Sequence, residues 1–283
     1  MISNRPIKKI LFSIIAFIVS FGSHAQAVEG EFIIGVVPNL SARLIAQNYQ
    51  PLAEYFQNGL GTPVAIVTAK DFSTFHQRAL AKDFQLMVTA PNLGRVAVKD
   101  GGWEVLYVFE PSIPGLLVSL EGQNNDLMRL KGKKLALANP QSLVALSGIN
   151  WLRNQGYILG KDYEVLKIAN DDSLGIALTS GDAPFAMMSL GEFKAKDPQL
   201  QKSLKVIQEF VRLPNFFVMA SPNMNIDNKK KVISLLNQLP STPLGNEFFK
   251  RTGFTSMNIP TDNQNNFLDN FVDVTRKALV LKN

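Results

Sequence analysis

The chain has 283 residues, 46% of them hydrophobic and 18% charged, enough apolar surface for one large domain or two smaller ones and too much for a disordered chain. Lys plus Arg number 29 against 23 Asp plus Glu, but Arg5, Lys8 and Lys9 stand in an acid-free leader; without them the balance is 26 against 23, too near neutrality for a nucleic-acid binder. The absence of cysteine excludes a disulfide framework, a thiolate nucleophile and Cys-ligated metal, and with His24 and His76 as the two histidines neither a metal nor a cofactor site is expected.

The leader comes first in chain order. Arg5, Lys8 and Lys9 precede an apolar run from Ile10 to Phe21, and Ala25-Gln26-Ala27 follows a polar stretch, the layout of a secretory signal peptide cleaved after Ala27. The run is too short to span a bilayer. The mature protein is therefore expected in the periplasm.

Residues 31–37 (EFIIGVV) read as a buried strand, and residues 41–60 as a helix ended by Gly61-Thr62-Pro63, since Leu44, Ile45, Leu52, Tyr55, Phe56 and Leu60 recur mostly at steps of three and four. A strand at 64–68, a helix at 72–81 capped by Asp71 or Ser73, and a strand at 84–89 complete a strand-helix alternation that predicts a parallel sheet covered on both faces. Two extended segments follow at 105–109 and 116–120, separated by Pro111-Ser112-Ile113-Pro114-Gly115. A second unit then repeats the alternation: strand 133–138, a helix from Ser142 through Trp151, strand 163–168, a helix opened by Asp171-Asp172-Ser173, and strand 185–189. Extended segments at 205–211 and 216–220 flank Leu213-Pro214-Asn215, and helices at 227–238, 244–250 and 262–281 close the chain. The chain thus leaves one lobe, builds a second and returns, and the two proline-interrupted crossings are expected to act as a hinge.

Ligands of such sheets sit beyond the carboxyl ends of the strands. That rule selects Asn39 and Ser41 after the first strand and Thr89 and Asn92 after the third. It also selects Ser142, where a helix N-terminus would offer free N–H groups and a positive dipole end to an anion, and Asp171 with Asp172. Ser142 serves equally as a helix cap, the two aspartates are more commonly cap acids than ligands, and Asn39, Ser41 and Asn92 read also as turn residues. Arg43 and Arg95 could fork onto an oxyanion, but each falls inside a helical stretch where a solvated role is more common. Gly156 to Lys161 (GYILGK) has the wrong spacing for a phosphate loop. No G-x-S-x-G elbow is present, and a Ser-His-Asp triad would need His76 from a surface helix; no enzymatic activity is expected.

The succession VVPNLS, QPLAEYFQNGLGTPVAIVTAKDFSTF, FQLMVTAPNLGRVA, LKGKKLALANPQSLVALSGINWLRNQG and GIALTSGDAPFAMMS resembles the phosphate/phosphite/phosphonate-type periplasmic solute-binding proteins of ABC transporters over essentially the whole mature chain. The resemblance implies an α/β, two-lobed type II periplasmic binding protein fold, each lobe a mostly parallel sheet flanked by helices, the lobes joined by two crossing strands. The lobe limits are then 28–112 with 214–283, and 113–213. It implies capture of a small anionic or polar, phosphonate- or oxyanion-like ligand between the lobes and delivery to a membrane permease, by a protein expected to be a monomer. A second reading is a transporter-independent module acting as sensor or accessory partner of a membrane signalling protein. The chain departs from its relatives at the ligand. Asn92 and Asp171 stand where relatives carry histidines, Pro184 where an aspartate is common, and the serine-rich cradle is reduced to Gln141-Ser142-Leu143. These changes predict weak binding of phosphate and simple alkylphosphonates, and a less charged or zwitterionic ligand held by Asn39, Thr89, Asn92, Ser142 and Asp171.

Overall fold

The structure, a computed structural model, describes residues 30–169 and 171–280. The leader with its cleavage point after Ala27, and the side chains of Asp171 and Asp172, lie outside the described residues. Strand β1 (Phe32–Val36) is followed by helix α1 (Ala42–Leu60), β2 (Val64–Val67), α2 (Phe72–Leu80), β3 (Leu86–Thr89), α3 (Pro91–Gly101) and β4 (Glu104–Glu110). The strands are apolar on both faces because the sheet is covered on both. Ile34, Val36, Leu86 and Val88 pack toward α1, while Val37 and Met87 join Phe72, Phe75 and Phe84 in the core under α2 and α3. Helices α1 and α2 start on polar caps: Ser41 Oγ accepts from Leu44 N at 3.4 Å and Asp71 Oδ1 from Thr74 N at 2.7 Å, satisfying first-turn donors that have no intrahelical acceptor.

The chain then crosses to a second sheet. Strand β5 (Ile113–Leu120), β6 (Lys133–Leu137), α4 (Leu143–Asn154), β7 (Tyr163–Lys167), α5 (Asp171–Thr179), β8 (Phe185–Ser189), α6 (Leu190–Lys194), α7 (Pro198–Ser203) and β9 (Leu204–Leu213) build it. Return to the first sheet is by β10 (Phe217–Ala220), followed by α8 (Ile226–Gln238), α9 (Pro243–Thr252), β11 (Ser256–Asn258), α10 (Asp262–Asp269) and α11 (Val272–Val280). The first sheet has the order β11-β4-β10-β3-β1-β2 and the second β7-β6-β8-β5-β9. β1 pairs in parallel with β2 and β3, and β6 with β7 and β8, whereas β10, β11 and β5 run against their neighbours. Most strands of each sheet therefore point one way, and the exceptions are β5 and β10, the first strands after each crossing, and the short β11 near the C-terminus.

The two crossings lie side by side. Asn215 Nδ2 donates to Pro111 O at 2.7 Å and Phe109 N to Phe216 O at 2.9 Å, so one crossing is bonded to the other. The expected single helix over 262–281 is two helices: Asn270 N and Phe271 N bond back only three residues, to Phe267 O and Leu268 O. The resulting bend lets α10 and α11 both pack on α3. Bidentate pairs fix them, Arg95 to Asp269 at 2.6 and 3.0 Å, and Arg276 to Asp100 through both carboxylate oxygens. No helix of the described residues is long and apolar enough to cross a membrane.

Candidate ligand-binding site

A cavity of about 60 Å³ lies where the two sheets face each other. Its walls are the carboxyl ends of strands and the helices that follow them, as the topology of such sheets dictates. Asn39 comes from the β1–α1 turn, Ala90 and Pro91 from the β3–α3 junction, Ser142, Leu143 and Val144 from the start of α4, and Ser189 and Glu192 from the start of α6. Ile113, Leu213, Pro214 and Phe216 of the two crossings close its back. Pro91 occupies the first position of α3 with no side-chain cap before it, a place where its missing N–H costs nothing. Ser142 caps α4 by accepting from Ala145 N at 3.1 Å; helix geometry leaves the N–H groups of Leu143 and Val144 without intrahelical acceptors, beside the cavity.

The sequence-selected residues divide by position. Asn39 and Ser142 line the cavity. Ser41 is exposed and serves as the cap of α1. Thr89 and Asn92 are 1% and 0% exposed and stand behind the wall rather than in it. Asn92 Nδ2 donates to Gln141 O at 3.1 Å and to Thr275 Oγ1 at 3.2 Å, so its role in this conformation is to join the two halves of the molecule. Thr89 Oγ1 and Asn92 Oδ1 are buried with no hydrogen-bond partner among the described residues. Asp171 and Asp172 open α5, beyond the end of β7, and their side chains lie outside the described residues. Arg95 is held by Asp269 and Arg43 is exposed; neither lines the cavity.

Sequence reasoning missed Ser189 and Glu192. Ser189 Oγ accepts from Glu192 N at 3.0 Å while Glu192 Oε2 accepts from Ser189 N at 2.7 Å, a reciprocal capping box. The pattern Ser-Leu-Gly-Glu directly after the apolar strand 185–189 was the available signal, and the strand-end rule applied to β8 would have selected it. The box leaves the second carboxylate oxygen of Glu192 free of this pairing. The cavity therefore offers a carboxylate, two hydroxyls, an amide and helix N–H groups within apolar walls, and among the described residues no lysine or arginine lines it. Among the described residues no cluster of His, Cys, Asp and Glu could hold a metal ion.

The arrangement can be set beside known proteins. A family model described as ABC transporter, phosphonate, periplasmic substrate-binding protein matches residues 34–265. No curated protein matches in sequence. Among solved structures, the chain is similar to PhnD1 from Prochlorococcus marinus in complex with methylphosphonate, with TM-score 0.74, 12% identity and coverage of 88% of this chain and 99% of that one. It is similar to a binding-protein component of an ABC phosphonate transporter from Pseudomonas aeruginosa, with TM-score 0.74, 14% identity and coverage of 89% and 90%. It also resembles the periplasmic aliphatic sulphonate binding protein SsuA from Escherichia coli, with TM-score 0.63, 13% identity and coverage of 89% and 94%. At such identities the likenesses bear on fold, which is the α/β two-sheet, two-lobe architecture of periplasmic binding proteins. With the family model spanning both sheets, the chain belongs to the phosphonate-type periplasmic substrate-binding proteins of ABC transporters, a family of binding proteins and not of enzymes.

Proposed function

We propose that the protein, exported after cleavage behind Ala27, captures a small polar ligand in the cavity between the sheets and presents it to a membrane permease, and that this ligand carries a hydrogen-bond donor or positive group beside its anionic part. The observation that carries the reading is the cavity's polar lining: Glu192 and the open end of α4 on one cavity, with no lysine or arginine among the described residues that line it. The α4 N–H groups of Leu143 and Val144, with Ser142 and Asn39, suit one anionic group. Glu192 suits an ammonium or a protonated oxygen on the same molecule. A dianion about 4 Å from that carboxylate would meet roughly 8 kcal/mol of repulsion at intermediate dielectric, more than one added hydrogen bond returns. Asp171 and Asp172 remain proposed contacts on their position at the mouth of α5, and the lobes are proposed as 28–112 with 214–283, and 113–213.

Isothermal titration of the mature protein with phosphate, methylphosphonate and 2-aminoethylphosphonate tests the reading. The zwitterion should bind roughly ten-fold or more tightly than either dianion, and Glu192→Gln should erase the preference. Submicromolar binding of phosphate or methylphosphonate, unchanged by Glu192→Gln, would show that the carboxylate does not face the ligand.

A further inference from the structure

Gln141 stands one residue before the cavity wall on the second sheet, and Asn92 one residue after it on the first. Gln141 Nε2 donates to Ala278 O at 2.9 Å and to Ser73 Oγ at 2.9 Å, Ser73 Oγ donates to Leu279 O at 2.8 Å, and Asn92 Nδ2 donates to Gln141 O and Thr275 Oγ1. Ala278 and Leu279 lie in the last turn of α11, whose carbonyls have no intrahelical donors. The loop of one half of the molecule therefore caps the C-terminal helix of the other. α11 is itself fixed to α3 by Arg276 and Asp100, so the acceptors are held in place.

We infer that this network is a latch between the halves, formed only when they are closed, and that Gln141 is its positioning residue. Opening moves Gln141 away from α2 and α11 together, and because it precedes Ser142 directly, docking the start of α4 and closing the latch are one movement. The latch then sets how much of the ligand-free protein is closed, and through that the apparent affinity for whatever the cavity takes. The inference does not depend on the nature of the ligand.

The native chain contains no cysteine, so spin labels can be placed at Arg43→Cys on α1 and Lys194→Cys on α6, two exposed positions on opposite sides of the cavity. Distances are measured on ligand-free protein. The latch predicts a closed population in the otherwise native protein that falls roughly five- to ten-fold in Gln141→Leu, with the label distance moving to longer values. Ser73→Ala, which removes one of the two Nε2 acceptors, should move it the same way and less. Thermal unfolding of each variant separates opening from loss of fold. Distance distributions identical in the folded native protein, Gln141→Leu and Ser73→Ala would overturn the inference.

Discussion

At the scale of single residues, two positions show how local chemistry dictates neighbours far along the chain. Pro51 lies inside α1, where it can supply no N–H to the carbonyl four residues back. That carbonyl, of Gln47, is taken instead by Arg251 Nη1 at 2.8 Å, from α9. A missing helix bond is thus converted into a contact between α1 and α9, and Arg251 is also paired with Glu247 at 2.8 Å. Gly245, in the first turn of α9, is required by space: a Cβ there would lie 1.7 Å from the backbone oxygen of Leu239, an atom that cannot rotate away. Gly245→Ala should therefore destabilise the protein by about 3 kcal/mol, at the upper end of overpacking costs, measured by urea unfolding. A change under about 0.5 kcal/mol would mean that the turn 239–242 adjusts freely. Neither relation was readable in advance, because sequence shows that Pro51 orphans a carbonyl and is silent on which donor arrives.

At the scale of elements, the junction of α2, α3 and α11 couples packing to pH. His76, on α2, is 7% exposed. Burial depresses its pKa below the ordinary histidine value, although the nearby Asp100 carboxylate opposes the shift. Asp100 is in turn held below the usual carboxylate range, chiefly by the hydrogen bond from Arg276. A histidine whose folded-state pKa is depressed takes up a proton more readily when unfolded. Its contribution to stability is therefore complete above the unfolded value, about 6.5, and is lost as pH falls through that value toward the folded one. Unfolding free energy should fall between pH 7.5 and 5.5, and His76→Gln should flatten that part of the profile while leaving the steeper loss at lower pH, where Asp100 and Asp71 protonate. A native profile already flat over that interval would contradict the assignment.

Legibility also divides by element. The long alternating segments were readable because a strand buried on both faces and a helix buried on one leave different periods in the sequence; β1, α1, β6 and β8 are of this kind. The short helices α6 and α7 were not, since five or six residues do not establish a period. The site followed the same division. Asn39 and Ser142 were reached through strand ends, and Glu192 lay within reach of the same rule at the end of β8, but α6, at five residues, gave no helical period to mark it.

At the scale of the whole molecule, closure by two crossings braced at Asn215 puts the cavity between two bodies that each have their own core. The core under α2 and α3 also takes in Leu143 and Val144 from the start of α4 and Leu213 from β9. Apolar contact and the Gln141 network thus favour the same closed arrangement. Small-angle scattering should record a smaller radius of gyration on saturation with a ligand shown independently to bind; no change would argue against hinge closure.

If the start of α4 holds the anionic part of a captured ligand, Ser142→Asp should abolish capture without unfolding the helix. Aspartate is as good a helix cap as serine, so α4 should persist and the melting temperature should stay near that of the native protein. Its carboxylate nevertheless places a negative charge where the ligand's anion is to sit. Titration with 2-aminoethylphosphonate should show binding to the native protein and a loss of at least roughly a hundred-fold in the variant. Equal affinities in the two proteins, both folded, would show that Ser142 only caps its helix and that the ligand is held elsewhere.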